Sequence, residues 1–328
     1  MKHTYLYLIL LFAVCISTIL LTKRLIPRLA EKAKQPIYGE GPSWHMKKSG
    51  TPTMGGIGFI IPSVAFMIIS AIYCFVGDKS EIGLSVFISA VFCLLNSLVG
   101  IWDDLTKIKR SENAGLTPAQ KLLLQGALAA AFLAINSIFF GQNTQISFGN
   151  VSIDAGIAYY PLAILFILGI INCANLTDGV DGLAGSVSFA IAISVFLLSL
   201  GKNADTLVLS SVGIGASLGF LFFNIHPAKI FMGDTGSLFL GALCVSYAFS
   251  MNSLPAFILI GGIYVIEGIS VIIQVLFFKA TGRRVFKMAP LHHHLEKCGF
   301  DESKICVYAI LATFVLSIIA SGMIGGVV

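Results

Sequence analysis

Long apolar segments restrict this chain to a small number of folds. A helix needs about 20 residues to cross the roughly 30 Å hydrocarbon core of a bilayer, and 56% of the 328 residues are hydrophobic while 11% are charged. Ten apolar runs approach or reach that length, at residues 4–22, 54–76, 82–101, 119–140, 157–173, 183–200, 206–223, 237–251, 255–278 and 305–323. The sequence therefore predicts an all-α polytopic integral membrane protein with about ten transmembrane helices, organised as a single domain over residues 1–328.

The basic residues are distributed unevenly between the two alternating sets of loops. Of the 21 Lys and Arg residues, all but Lys2, Lys79 and Lys202 fall on one side. Because cytoplasmic loops carry an excess of Lys and Arg, this side is predicted to be cytoplasmic and both termini extracytoplasmic. The segment 143–154 lies on the opposite side, and its alternating apolar residues between glycines predict a small β-hairpin.

Composition also excludes several classes of protein. The formal net charge of +5 follows from the loop asymmetry, and no basic helix or aromatic pattern typical of a nucleic-acid partner is present. The seven cysteines lie mostly in apolar runs without C-x-x-C spacing, so neither a disulfide framework nor a zinc site is predicted. The lipid bilayer is the predicted surrounding of this chain.

Five aspartates lie in three short loops on the predicted cytoplasmic side, and the first loop has the sequence GIWDDLTKIKR at residues 100–110. Asp103 and Asp104 precede Lys107 by four and three residues, which places the three on one face if the helix continues. Two interpretations of this segment remain open: a ligand-binding site, or an ordinary ion pair at a solvated helix end.

The second loop, NCANLTDGVDGLAG at residues 172–185, combines oxygen donors with glycines. Glycine lets a backbone approach a ligand closely, and Asn and Asp offer oxygens to a metal or to sugar and base donors. Asn172, Asn175, Asp178 and Asp181 are therefore candidate ligand-binding residues. A helix cap formed by Asp181 or Thr177 is the alternative, although a cap needs only one such residue.

The third loop, NIHPAKIFMGDTGS at residues 224–237, places Asp234 where the next helix is expected to begin. A helix N-terminus binds anions, and a carboxylate there could hold a magnesium ion that bridges phosphate oxygens. A plain N-cap is again the alternative. The chain has no P-loop, which argues against an ATPase.

Two further segments on the same predicted side carry polar candidates. His292, His293 and His294 are consecutive, so their side chains diverge and suit donation to phosphate better than a tridentate zinc site. Glu267 lies inside the ninth apolar run, where it is either paired or next to a cavity. Lys48 precedes SGTPTMGG at residues 49–56, a loop suited to backbone contact with a ligand, whereas most basic residues serve topology and lipid headgroups.

With these loops in order, the chain resembles the polyprenyl-phosphate N-acetylhexosamine-1-phosphate transferase superfamily. The aspartate loops mark the superfamily, and PLHHHLE at residues 290–296 marks the phospho-N-acetylmuramoyl-pentapeptide transferase branch. The resemblance covers the whole chain. It implies a homodimer in the bacterial cytoplasmic membrane with an active-site cleft on the cytoplasmic side. It also implies a Mg²⁺-dependent enzyme that transfers phospho-MurNAc-pentapeptide from UDP-MurNAc-pentapeptide to undecaprenyl phosphate, giving lipid I and UMP.

The resemblance also implies roles for individual residues. Asp234 is the implied magnesium ligand, and Asp103 and Asp104 are implied to lie at the lipid phosphate. With His293 and His294 these are the implied catalytic residues, and Phe231 matches the position that stacks on uracil. The other implied substrate-binding residues are Lys48, Thr53, Lys107, Lys121, Asn172, Asn175, Asp178, Asp181, Asn224 and His292.

Two alternative functions fit parts of the sequence. An N-acetylglucosamine-1-phosphate transferase that uses UDP-GlcNAc belongs to the same superfamily. An ion-coupled transporter would place acidic residues in the middle of apolar runs, and only Glu267 lies well inside one. The sequence therefore favours an enzyme over a transporter.

Overall fold

The computed structural model describes residues 4–33, 50–110, 115–141, 144–149 and 151–324. These residues form twelve α-helices, one short 3-10 helix and one two-stranded hairpin. The helices are α1 (Thr4–Lys32), α2 (Ile57–Val76), α3 (Ser80–Arg110), α4 (Pro118–Phe140), α5 (Tyr159–Thr177), α6 (Leu183–Ser199), α7 (Ala204–Asn224), α8 (Gly233–Ser250), α9 (Leu254–Ile260), α10 (Gly262–Thr281), α11 (Leu291–Lys297) and α12 (Glu302–Ser321).

The helical membrane fold expected from the apolar runs is confirmed, since each of the ten runs contains a helix. In the described part of the chain, eight helices are long and apolar enough to cross a membrane, and α6 is a shorter apolar helix. The predicted hairpin is also confirmed, with β1 (Gln145–Phe148) antiparallel to β2 (Val151–Asp154). It joins the end of α4 to the start of α5.

Helix α7 lies at the centre of the bundle. Its most apolar 18-residue window is 89% buried, against 22% for that of α1, which packs along it. Gly215 and Gly219 make this packing close, because a Cβ on either would lie within 3 Å of a backbone carbonyl of α1, that of Leu11 or Cys15. Small residues bring membrane helices together in this way.

Helix α3 is longer than a bilayer requires. Its 31 residues extend about 46 Å at 1.5 Å per residue, and it packs against α8 and α2. The predicted third run ends at residue 101, whereas the helix continues to Arg110. Asp103, Asp104 and Lys107 therefore lie on one continuous helix. The sequence predicted a common face for them only if the helix continued, and it does.

Other parts of the chain also differ from the sequence prediction. The ninth run, 255–278, is two helices, because the adjacent Gly261 and Gly262 interrupt it; glycine is a poor helix former, and a Cβ on Gly262 would lie 2.6 Å from Leu316 of α12. Helix α8 begins at Gly233, four residues before the predicted run, so Asp234 lies in its first turn. The histidine run forms the short helix α11.

Candidate active site

Three helix ends bring carboxylates and lysines together at one end of the bundle. Asp103 and Asp104 come from the last turns of α3, Lys121 from the first turn of α4, and Asp234 from the first turn of α8. One oxygen of each of the three carboxylates lies within 4.8 Å of the others. These residues, predicted from separate loops, thus form a single cluster.

Asp234 is the centre of this cluster. Its Oδ2 lies 2.5 Å from Nζ of Lys121 and 3.1 Å from Nζ of Lys107, and its Oδ1 accepts a hydrogen bond of 2.9 Å from the Asn175 amide. The same amide lies 2.7 Å from the Ser237 hydroxyl. Asp234 is therefore held by groups from α3, α4 and α5 at once.

Asp104 anchors the N-terminus of α8. It is 4% exposed and accepts hydrogen bonds from the backbone N–H of Thr235 (2.9 Å), the Thr235 hydroxyl (2.7 Å) and the N–H of Asp234 (3.2 Å). A carboxylate at a helix N-terminus is stabilised by unpaired N–H groups. Gly233 has φ +69°, and a Cβ there would lie 2.5 Å from Asp104 Oδ2 and 2.9 Å from the Thr53 hydroxyl. Only glycine fits this approach.

Asp103 connects α3 to the segment that leads into α4. One oxygen lies 2.6 Å from Nζ of Lys107, and the other accepts a 2.7 Å hydrogen bond from the N–H of Leu116. Helix α4 then begins with a capping box formed by Thr117 and Gln120, which fixes its first turn. Lys121 follows directly and is thereby directed at Asp234.

The aspartate cluster fits a hard divalent cation. Carboxylate oxygens are the ligands that Mg²⁺ prefers, and neither Cys nor His is a member of this group. Three ionised carboxylates next to the two ammonium groups of Lys107 and Lys121 leave one net negative charge in the cluster. The charge and the donor atoms therefore both suit a hard divalent cation among Asp103, Asp104 and Asp234.

The α5–α6 loop places its two aspartates in different surroundings. Asp181 Oδ2 lies 3.1 Å from His226 Nδ1 and accepts the N–H of Ala228, and the Asp181 N–H donates to Glu302 at 2.8 Å. Asp181 thus ties this loop to the segment before α8 and to α12. Burial raises the pKa of the Asp178 carboxyl well above its ordinary value, and the negative charges of Asp234 and Asp104 raise it further.

We expect Asp178→Asn to raise the melting temperature of the substrate-free protein at neutral pH. A raised folded-state pKa means that wild-type stability falls as pH rises from about 4, the ordinary Asp value, through the folded value. Asn does not ionise, so the difference in melting temperature between the variant and the wild type should be near zero below about pH 4 and grow above it. Melting curves from pH 4 to 8 measure this.

Asp154→Asn is the matched control for that experiment. The Asp154 carboxyl is exposed, and a hydrogen bond from Thr144 lowers its pKa, so its loss should not raise stability at neutral pH. A melting temperature that Asp178→Asn lowers at every pH would contradict the electrostatic explanation.

The three histidines of α11 have three different partners. His292 is fully buried, with Nδ1 and its N–H at 3.1 and 3.2 Å from Glu267 Oε2. His293 Nδ1 lies 2.6 Å from Glu296, and His294 Nδ1 accepts the N–H of Lys287. Glu267 therefore supports the start of α11, which explains an acidic residue inside an apolar run.

The histidine helix meets the α5–α6 loop through a glycine. A Cβ on Gly179 would lie 2.3 Å from His292 Nε2, so the imidazole packs directly on the backbone next to Asp178. That Nε2 atom is buried without a hydrogen-bond partner in the part of the chain described. His292 is thereby placed at the edge of the α5–α6 loop.

The remaining predicted residues surround the aspartate cluster. Asn172 donates to Gln125 of α4 at 2.8 Å, and the Asn224 amide donates to the carbonyl of Ile230 at 2.9 Å. The N–H of Phe231 donates to the carbonyl of Pro52, which brings the half-buried Phe231 beside the Thr53 loop. Lys48 lies outside the described residues.

Several residues of the site were not singled out from the sequence. Thr235 and Ser237, which contact Asp104 and Asn175, follow Asp234 directly, and their hydroxyls at a helix start were a usable signal. His226, Glu302 and Gln125 come from distant segments. Nothing in their local sequence indicates which aspartate or asparagine each contacts.

Fold and site together define a polytopic membrane protein in which a polar cluster joins carboxylates to lysines, an arrangement suited to handling phosphate-bearing substrates. The family model of glycosyl transferase family 4 matches residues 85–252. Proteins named phospho-N-acetylmuramoyl-pentapeptide-transferase are similar over nearly the whole chain. That of Clostridioides difficile is 40% identical over 89% of each chain, that of Bacillus pumilus 42% over 92% of this chain and 93% of its own, and that of Clostridium acetobutylicum 41% over 95% and 98%. The chain belongs to the phospho-N-acetylmuramoyl-pentapeptide-transferase family, within glycosyl transferase family 4.

Proposed function

We propose that this chain transfers phospho-MurNAc-pentapeptide from UDP-MurNAc-pentapeptide to undecaprenyl phosphate, forming lipid I and UMP in peptidoglycan synthesis. The observation that carries the proposal is the network in which Lys107, Lys121 and Asn175 converge on Asp234 beside Asp103 and Asp104. The name of the family's relatives supplies the substrate class.

The reaction brings two anions together, so the site must supply positive charge and alignment. Lys107 and Lys121 offer ammonium groups that a phosphate could contact when it competes with Asp234. A magnesium ion would be held by Asp234 with Asp103 and Asp104 beside it, and it would neutralise phosphate charge when bound. The lysines are held within 3.1 Å of Asp234, so little reorganisation is required.

The attacking group in this proposal is the lipid phosphate itself. One of its oxygens forms a bond to the phosphorus that carries the sugar, the bond from that phosphorus to the bridging oxygen breaks, and UMP leaves. A phosphate monoester has its second pKa near 6, so it is largely dianionic at neutral pH and needs little help from a base. Asp104 accepts three hydrogen bonds, which suits positioning better than nucleophilic attack.

The alternative mechanism forms a covalent phospho-aspartate first. In Asp103, the candidate nucleophile, both oxygens are already engaged, one by Lys107 and one by the N–H of Leu116. These contacts orient the lysine and the loop before α4. They favour a role in which Asp103 acts through position and charge.

If direct attack is correct, Asp103→Asn should lose activity less severely as pH rises. Above the second pKa of the lipid phosphate, about 6, the nucleophile no longer depends on a neighbouring carboxylate for ionisation. Initial rates of UMP release are measured for the variant and the wild type from pH 5.5 to 9. The ratio of the variant rate to the wild-type rate should rise with pH. A loss that is the same at every pH, or a trapped aspartyl phosphate in the wild-type enzyme, would reject this mechanism.

The residues around the aspartate cluster are proposed to bind the nucleotide sugar. Asn172, Asn175, Asp178 and Asp181 would lie near the nucleotide and pyrophosphate, and Phe231 would stack on uracil. His293 and His294 are proposed to act on the phosphates, because imidazoles donate to anions when protonated. The other proposed contacts are Lys48, Thr53, Lys107, Lys121, Asn224 and His292.

The cellular setting is part of the same proposal. The chain would act as one transferase domain and a homodimer in the bacterial cytoplasmic membrane, with the site facing the cytoplasm and both termini outside. The support for this orientation is the strong excess of Lys and Arg on the side of the aspartates.

The competing function is transfer of N-acetylglucosamine-1-phosphate. Purified protein in detergent with Mg²⁺ and undecaprenyl phosphate should form a lipid product from UDP-MurNAc-pentapeptide and none from UDP-GlcNAc, as followed by thin-layer chromatography. The reverse preference would assign the chain to the competing function. Absence of product from either sugar, together with substrate uptake into proteoliposomes, would favour a transporter.

A further inference from the structure

A polar cavity lies at the end of the bundle opposite the aspartate site. Its volume is about 370 Å³, within the roughly 300–1,000 Å³ range of small-molecule sites. Its walls come from the first turns of α3 and α7, the last turns of α4 and α8, and the start of α5. Glu81 in its wall precedes Asp103 by 22 residues on α3, about 33 Å along the helix.

Two carboxylates line this cavity, and none of the described residues in its wall is Lys, Arg or His. Asp205 accepts hydrogen bonds from the Ser85 hydroxyl at 2.7 Å and the N–H of Thr206 at 2.9 Å. Within the described ranges, neither Asp205 nor Glu81 forms an ion pair. Each lies in the first turn of a helix, where the dipole tolerates negative charge. Their convergence on one cavity leaves that cavity negatively charged.

The remaining wall combines hydroxyl and amide side chains with aromatic rings. Ser89, one of these residues, is 4% exposed. Phe132 and Phe249 meet edge to face with ring centroids 5.2 Å apart, and Tyr159 lines the same space. Carboxylates, a hydroxyl acceptor and aromatic rings are the groups that attract an organic ammonium ion.

We propose that this cavity binds an organic ammonium group, either of a free polyamine or of an amine-bearing lipid headgroup. Anions are disfavoured because none of the described wall residues is basic. A cavity of about 370 Å³ is far larger than a bare calcium ion needs, since its oxygen ligands lie about 2.3–2.6 Å away, and aromatic rings favour an organic cation. The site would therefore recognise a cation at the membrane surface opposite the transferase site.

The test uses the full-length protein in detergent with spermidine as the probe. Isothermal titration calorimetry should detect binding to wild type, and Glu81→Gln and Asp205→Asn should each weaken it about tenfold, the effect of one charge-assisted hydrogen bond. Ser89→Phe, which fills the cavity and keeps both carboxylates, should abolish binding. Asp154→Asn removes the same charge from the exposed hairpin and should leave binding unchanged.

A second arm distinguishes the two sources of the amine. Protein reconstituted with equal phosphatidylethanolamine and phosphatidylglycerol is analysed by native mass spectrometry for retained lipid. Selective retention of phosphatidylethanolamine that Ser89→Phe abolishes assigns a lipid headgroup, and spermidine binding without it assigns a free amine. Absence of both, or equal weakening by Asp154→Asn and Glu81→Gln, would overturn the proposal.

Discussion

Replacing Asp234 with asparagine is expected to reduce kcat for UMP release by about 1,000-fold, comparable to the loss of a principal electrostatic group in an active site. Asp234 contacts Lys107, Lys121 and Asn175 at once. Asn keeps the shape but removes the charge that orders both lysines and would hold magnesium. Steady-state UMP release at saturating magnesium and substrates measures the effect.

Asp301→Asn is the matched control for Asp234→Asn. Asp301 is exposed and pairs with Lys304 at the start of α12, so the same change in charge is made away from the cluster and should leave the rate within about twofold. A cooperative melting transition in each variant would establish that both fold. A folded Asp234→Asn protein with a rate within tenfold of wild type would remove Asp234 from the centre of the site.

Lys107→Met is expected to produce the second largest loss, about 100-fold in kcat/KM. Its ammonium lies 2.6 Å from Asp103 and 3.1 Å from Asp234. Without it, the aspartates lose an internal cation and repel the anionic substrates. Methionine keeps most of the side-chain volume, so the packing around the last turns of α3 changes little.

Lys109→Met gives the control on the same helix. Lys109 is exposed two residues further along α3, and its replacement should change kcat/KM by less than about threefold. If Lys107→Met and Lys109→Met had the same effect, Lys107 would contribute only general surface charge. The rates should be compared at low and high ionic strength. The loss caused by replacing the partly buried Lys107 should depend less on salt than an effect of exposed surface charge.

The helices could be predicted because each apolar run carries its own signal. Boundaries were less well determined where polar residues continue a helix, as at Lys107 on α3. The break at Gly261 is encoded by two adjacent glycines, but packing of Gly262 against Leu316 decides that the chain bends there. Contacts between distant segments, unlike hydropathy, leave no local pattern.

The sequence predicted which aspartates belong to the cluster, but not which groups each of them contacts. Lys and Arg counts placed Asp103, Asp104 and Asp234 on one side, and the structure brings them within 4.8 Å. That Asp104 anchors the N–H groups of α8, while Asp234 takes both lysines, depends on where α8 begins relative to α3. Glu267 illustrates the same limit, since its partner His292 lies 25 residues further along.

The central claim is that the phosphorus bearing the sugar is transferred together with the sugar. Purified protein is incubated with UDP-MurNAc-pentapeptide, undecaprenyl phosphate and magnesium, and the products are identified by mass spectrometry. The account predicts UMP and a lipid pyrophosphate linked to MurNAc-pentapeptide, in equal amounts. Release of UDP with a lipid that retains a single phosphate would show simple glycosyl transfer and would contradict it.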